Sequence, residues 1–202
     1  MLLNKTIICF SAAILVLALN GCKKSYEPPP HNLFENEQLV LKTSKELVGE
    51  NVSFTSAGYF ESDTLKSIVA GVEVSEKNKW GIEFFLISWM EGEFKIKYQT
   101  GLLNGSFVQC LVNKIKFSDF DTELIYYNSK NYFLGNASGD VYSHVIDLKK
   151  LKIYSAHLSV ITEGRVSLDL SQNIDEIPML KTFFISYFRR DYPNLRLVEK
   201  AF

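Results

Sequence analysis

The sequence predicts a mainly β protein, with antiparallel sheets arranged as a sandwich or a blade-like meander and one C-terminal amphipathic α-helix. Short segments that alternate apolar and polar residues recur from residue 51 onward, which is typical of half-buried strands. Turn residues separate most of these segments, as in antiparallel hairpins. Apolar positions at helical spacing occur near the C-terminus, at about residues 176–190.

The segment 80–90 (WGIEFFLISWM) is apolar at both its even and its odd positions. Successive residues of a strand point to opposite faces, so we expect this strand to lie at the centre of a sheet and to be covered on both sides. Glu91-Gly92 then turns the chain into 93–99 (EFKIKYQ), where apolar residues alternate with polar ones. We expect these two segments to form a hairpin.

The other strands are predicted from shorter segments of the same kind, with turns at 77–79, 128–131, 136–140 and 163–164. They are placed at 52–54, 67–75, 106–113, 123–128, 132–134, 141–147, 152–162 and 165–170, and 195–198 is a candidate for a short last strand. On the strand 106–113, the position of Cys110 beside Val108 and Val112 predicts a buried structural thiol.

The C-terminal helix is predicted from an apolar stripe at i, i+3, i+4, i+7 and i+8, formed by Leu180, Phe183, Phe184, Tyr187 and Phe188. Pro178 suits its first turn, and Arg189 and Arg190 suit its C-terminal end. We expect the stripe to pack on a sheet face. The alternative is a helix that lies on a membrane or binds a partner.

The composition of the chain limits which partners and which domain organisation are expected. The chain has 22 basic and 23 acidic side chains and no long run of like charge, which argues against nucleic acid as a partner. With 47% apolar residues, residues 39–202 can form one domain with a substantial core.

The N-terminus has the pattern of a secretory signal. Lys5 precedes the uncharged run 7–19, which is shorter than the ~20 apolar residues that a membrane-spanning helix needs. We therefore expect residues 1–21 to be cleaved. Residues 22–38 follow as a spacer that contains Pro28-Pro29-Pro30, which favours an extended chain.

Leu19-Asn20-Gly21-Cys22, at the junction, resembles the lipobox of bacterial lipoproteins, although Asn20 departs from its usual middle residue. The resemblance implies cleavage between Gly21 and Cys22 and acylation of Cys22 with palmitate-type chains. Lys23, in place of an aspartate, favours the outer membrane within this family. The alternatives are an ordinary signal peptide and a short uncleaved anchor.

Two segments about 60 residues apart, 58–72 (GYFESDTLKSIVAGV) and 117–127 (FSDFDTELIYY), share an aromatic residue, an acidic turn and an apolar strand. They resemble degraded FG-GAP-type β repeats. The resemblance implies blade-like antiparallel sheets, and two repeats are too few to close a propeller. Chance similarity between two hairpins is the alternative.

Within the second segment, Asp119, Asp121 and Glu123 alternate like the start of a calcium loop. Such a loop needs glycine at its sixth position and glutamate at its twelfth, where this chain has Leu124 and Lys130. These three acids are thus weak metal candidates, and we predict a solvated acidic turn with no metal or other cofactor.

The histidines give no catalytic prediction. His31 lies in the spacer, while His144 and His157 lie on strands, and no nucleophile, zinc or phosphate-loop motif accompanies them. We therefore expect no catalytic residues.

The functional expectation is a lipid-anchored protein of the bacterial cell envelope with a non-enzymatic interaction or envelope-maintenance role. Its expected partners are the membrane, through the lipid on Cys22, and an envelope protein. The alternative is a lipid-anchored hydrolase or ligand-binding module with a dispersed site. A deep pocket that holds His144 with a second titratable group would favour the alternative, and an exposed aromatic patch would favour the first.

Overall fold

The computed structural model describes residues 28–30, 32–76, 79–105, 109–132, 138–161 and 165–198. Within these ranges the chain forms two stacked, mainly antiparallel sheets. Sheet 1 has the order β1 (Val52–Gly58), β2 (Ser67–Glu76), β3 (Lys79–Met90), β4 (Glu93–Gln99), and a short β5 (Leu103–Asn104) also pairs with β3. Sheet 2 contains β6 (Cys110–Ile115), β7 (Leu124–Tyr132), β8 (Gly139–Asp147), β9 (Lys152–Ile161), β10 (Arg165–Leu170) and β11 (Arg196–Val198), in the spatial order β11-β10-β9-β8-β7-β6.

Two α-helices cover the outer faces of the sheets. Helix α1 (Glu37–Val48) lies on sheet 1, where Val40 packs with Ile68 and Ile87. Helix α2 (Pro178–Asp191) lies on sheet 2. The inner faces meet in a third apolar cluster that joins side chains such as Phe84 of sheet 1 and Tyr127 of sheet 2. The result is four layers in the order helix, sheet, sheet, helix, and the predicted β-sandwich with a C-terminal helix is confirmed.

The prediction of a central, doubly covered strand is also confirmed. Strand β3 pairs with both β2 and β4, and Phe84 and Leu86 face sheet 2 while Ile87 faces α1. Glu91 and Gly92 connect β3 to β4 as predicted. Both residues have positive φ, 57° and 90°, which matches the twist that a tight hairpin turn requires.

The C-terminal helix begins two residues after the predicted start and ends one residue after the predicted end. Leu180, Phe184 and Phe188 are buried against sheet 2, as expected for a core-facing stripe. The candidate last strand is present as β11, and it pairs parallel to β10 because α2 carries the chain back along the sheet.

Three predictions about individual segments are wrong. The predicted turn at 136–140 ends too late, because Gly139 and Asp140 already belong to β8. The predicted turn at 128–131 lies inside β7, which runs unbroken between β6 and β8. Its polar residues are tolerated because they are bonded within the fold: Asn128 is buried and its amide donates to the Ser143 hydroxyl. Cys110 is not buried. It is exposed at the start of the edge strand β6.

Helix α1 was not predicted. It begins within the expected spacer, and Leu33, also assigned to the spacer, is buried beside it. The side chain of Asn36 caps the helix by accepting hydrogen bonds from the backbone N–H groups of Gln38 and Leu39, at 3.0 and 3.2 Å. Neither α1 nor α2 is long and apolar enough to span a bilayer, and the same holds for all helices in the described ranges.

Candidate functional site

The inner face of sheet 2 is divided into an apolar part and a polar part. Ile125, Ile146 and Ile153 belong to the apolar part and pack against sheet 1. Further along the same strands the face becomes polar. This polar half-face consists of three residues of β8 and three of β9, namely Asp140, Tyr142, His144, Ser155, His157 and Ser159.

Strand periodicity and hairpin register bring these six side chains together. Alternate residues of a strand share a face, which groups three residues on each strand. The β8–β9 pairing then sets Asp140 opposite Ser159, Tyr142 opposite His157 and His144 opposite Ser155. Directly opposed side chains in an antiparallel pair are close enough to interact.

The more exposed part of the polar half-face is organised around His157. Its Nε2 lies 2.8 Å from Asp140 Oδ1 and 3.5 Å from Ser159 Oγ, and Ser159 Oγ also donates to Asp140 Oδ1 at 3.2 Å. The Tyr142 ring stacks on the imidazole, with centroids 4.6 Å apart and an angle of 5° between the planes. His157 and Asp140 keep 24% and 25% of their side-chain exposure, so a ligand can reach them.

His144 is the buried member. Its Nδ1 lies 2.8 Å from Ser155 Oγ, and its ring stacks on Tyr127 at 5.7 Å. Its Nε2 has no hydrogen-bond partner among the described residues. Burial lowers the pKa of His144 to about 4, and the proximity of His157 adds to the effect. His144 is therefore neutral at physiological pH.

The contacts of His157 do not form a catalytic relay. In a serine–histidine–aspartate relay the acid orients one ring nitrogen while the other takes the proton of the serine. Here Asp140 and Ser159 both approach Nε2. The same nitrogen would have to bond the acid and accept the proton of the serine. The arrangement instead presents hydrogen-bonding groups and ring edges in fixed positions, which suits binding.

The three acids proposed as weak metal candidates are each held by a different neighbour. Asp119 accepts a hydrogen bond from Ser118 Oγ at 2.9 Å, and Asp121 pairs with Lys149 at 3.1 Å. The hydrogen bond from Lys149 is the main cause that lowers the pKa of Asp121. Over the described ranges, no group of three or more histidine, cysteine, aspartate or glutamate side chains is placed to hold a metal ion.

Glu123 has a structural contact across the sandwich. Its carboxylate accepts from the backbone N–H of Tyr59 at 2.7 Å, and its own N–H donates to the Tyr59 carbonyl at 2.8 Å. Its second oxygen pairs with Lys114 at 3.2 Å. The turns of the two repeat-like segments therefore meet, one from each sheet.

The remaining predicted positions, Gly21 and Cys22 of the cleavage and acylation site and His31 of the spacer, lie outside the described residues. The pair of His157 and Asp140 was missed because it depends on register. The register could have been read from the turn between the two strands. Four residues follow Asp147 before the chain returns, which pairs Asp147 with Lys152. Counting back along both strands from that pair sets His157 opposite Tyr142 and close to Asp140.

Comparisons with protein-family models, with curated proteins and with solved structures find no match to this chain. Its function is therefore inferred from its own residues and contacts.

Proposed function

We propose that the chain is a lipid-anchored protein of the bacterial cell envelope whose folded domain binds an envelope protein and has no catalytic role. The lipobox-like residues 19–22 support the anchor, with Cys22 as the acylated residue. Multiple acyl chains make anchoring stable where a single chain does not. Lys23 favours the outer membrane as its location.

The observation that carries the binding role is the polar half-face itself. Its Tyr142–His157 stack and the Asp140 carboxylate are half-exposed and held in place by cross-strand contacts. Aromatic side chains such as Tyr142, held in fixed positions, are typical of protein recognition surfaces. The Asp140 carboxylate beside it can select a partner by charge. The shared approach of Asp140 and Ser159 to one imidazole nitrogen favours binding over hydrolysis.

The length of the spacer limits how far the domain can lie from the membrane. Residues 23–32 separate the anchor from the buried Leu33, and an extended chain covers ~3.1 Å per residue. The domain is thus held within about 30 Å of the bilayer surface. A partner for the polar half-face must be reachable from that distance, which favours another envelope protein.

The test is site-specific photo-crosslinking of the full, acylated chain in its native envelope. A photo-reactive residue replaces Ser167, which neighbours the polar half-face opposite Ser159. The matched control replaces Ser186, which is exposed on α2. We expect one discrete crosslinked protein from position 167, which weakens when Asp140→Asn is added, and none of that mass from position 186.

Crosslinks of equal pattern from both positions, or a pattern unchanged by Asp140→Asn, would contradict the proposed binding face. Turnover of a captured ligand that depends on His157 would instead support the hydrolase alternative.

A further inference from the structure

A small cavity of about 170 Å³ opens at the end of the sandwich where the chain turns between β8 and β9. Its floor is formed by Leu86, Tyr98 and Leu148. Its rim carries Lys97, Lys149 and Leu151, together with Glu61, whose carboxylate is paired with Lys97. The cavity is separate from the polar half-face, because none of the six residues of the polar half-face lines the cavity.

The size of the cavity limits what it can hold. A buried apolar cavity of about 150 Å³ accommodates one benzene molecule, whereas sites for drug-sized ligands start at about 300 Å³. Leu86 and Leu148 are almost fully buried, so the floor is apolar and preformed. The cavity therefore fits one ring-sized apolar group.

The two lysines on the rim differ in how firmly they are held. Lys97 pairs with Glu61, a largely buried carboxylate that also accepts from Ser88. Lys149 pairs at 3.1 Å with Asp121, whose side chain is 80% exposed. Exposed ion pairs contribute little free energy, so a ligand carboxylate can replace Asp121 on Lys149.

Leu151 combines two features that are uncommon for a leucine in a turn. Its φ is +54°, a left-handed conformation that is unfavourable for a residue with a Cβ, and its side chain is 53% exposed. Glycine or asparagine would suit this turn position better. An apolar side chain kept at a strained, exposed position on a cavity rim is a pointer to ligand contact.

The geometry points to a binding site for a carboxylate that is attached close to one ring-sized apolar group. The apolar group lies in the cavity over the floor of Leu86, Tyr98 and Leu148, Leu151 covers it, and Lys149 binds the carboxylate. This chemistry occurs in free aromatic or branched acids and in the C-terminal residue of a protein chain that ends in phenylalanine or leucine.

The first test titrates the full chain in detergent micelles with N-acetyl-phenylalanine and follows the methyl NMR signals of Leu86, Leu148 and Leu151. We expect saturable shifts in the millimolar range. The amide of the same compound, which lacks the charge, should bind up to about fivefold more weakly, because the exposed ion pair with Lys149 is lost.

Substitutions then test which side chains contact the ligand. Lys149→Met should weaken binding of N-acetyl-phenylalanine by up to about fivefold, because an exposed ion pair contributes up to about 1 kcal/mol. The matched control is Lys150→Met: that lysine lies over the Phe120 ring at 5.2 Å and does not line the cavity, so binding should be unchanged. Leu151→Asn should weaken binding while the melting temperature stays equal or rises, which separates ligand contact from folding.

Absence of saturable shifts, equal binding of acid and amide, or unchanged binding by Lys149→Met would each overturn the proposal. Two further probes separate the sources of the ligand. Tighter binding of a tetrapeptide that ends in phenylalanine assigns the site to a chain terminus, and tighter binding of hydrocinnamate assigns it to a free acid.

Discussion

Acidification should destabilise the fold through His144. The imidazole is 8% exposed, stacked on Tyr127 and close to His157, so a positive charge there would lose its hydration without gaining an acidic partner. Its pKa is lowered from 6.5 to about 4 in the folded protein. The unfolded chain therefore takes up a proton in a pH range where the folded chain does not.

The sign and size of the effect follow from this difference. Above about pH 6.5 neither state binds the proton, and the stability contributed by the neutral imidazole is fully present. As the pH falls towards 4, protonation favours the unfolded chain and that stability is lost. A shift of this size corresponds to roughly 3 kcal/mol, a large fraction of the stability of a domain.

Urea unfolding of residues 28–202 at a series of pH values measures the effect. His144→Gln keeps a polar partner for Ser155 but cannot titrate, so its stability should fall much less between about pH 6.5 and pH 4. His157→Gln is the matched control. It leaves the burial of His144, the main cause of the lowered pKa, in place, so most of the wild-type loss should remain. Carboxylates titrate in all three proteins, so the difference between them isolates the histidine. Parallel pH curves for wild type and His144→Gln would refute the reasoning.

Three further changes test the anchor, the helix and the acidic turn. Cys22→Ser should abolish fatty-acid labelling and signal removal, and a labelled variant cut after Gly21 would show the acylation site to be elsewhere. Phe184→Asp places a carboxylate at a fully buried position under α2, at a cost of several kcal/mol, and should yield no soluble folded domain; an unchanged melting temperature would contradict this. Millimolar calcium should leave the melting temperature unchanged, because Asp121 is paired with Lys149, and a rise of several degrees that Asp121→Asn abolishes would restore the metal site.

The elements that could be predicted from the sequence are those whose apolar residues recur with the period of a strand or a helix. The apolar positions from Ile82 to Ile87 and the stripe from Leu180 to Phe188 specify their burial directly, whereas Trp80 and Met90, at the ends of the segment 80–90, are exposed. Helix α1 lacks such a stripe, because Leu39 and Leu41 are exposed while its buried positions are Val40 and Ser44. Its local signals were Asn36 as an N-cap and Gly49 at its C-terminal end, and both are too common to predict a helix alone.

Polar residues limited the prediction of both the strands and the candidate site. Asn128 and Ser129 indicate a turn by composition, and they lie in a strand because neighbouring strands satisfy them. The same dependence on cross-strand partners holds for Asp140 and His157. The partners of each of these side chains depend on the register with a neighbouring strand. The periodicity of a single segment gives no information about that register.

The contact between Tyr59 and Glu123 joins the two sheets through bonds that have a direction. The hydrophobic effect that drives apolar packing between the sheets is non-directional. Two hydrogen bonds at one point do have a direction, and a Cβ in place of the hydrogen of Gly58 would overlap the Glu123 carboxylate. The sandwich therefore has a directional constraint at this point. Lys114 adds another, because its Nζ donates to the Ala57 carbonyl at 3.1 Å. Sliding of one sheet over the other would break these hydrogen bonds together.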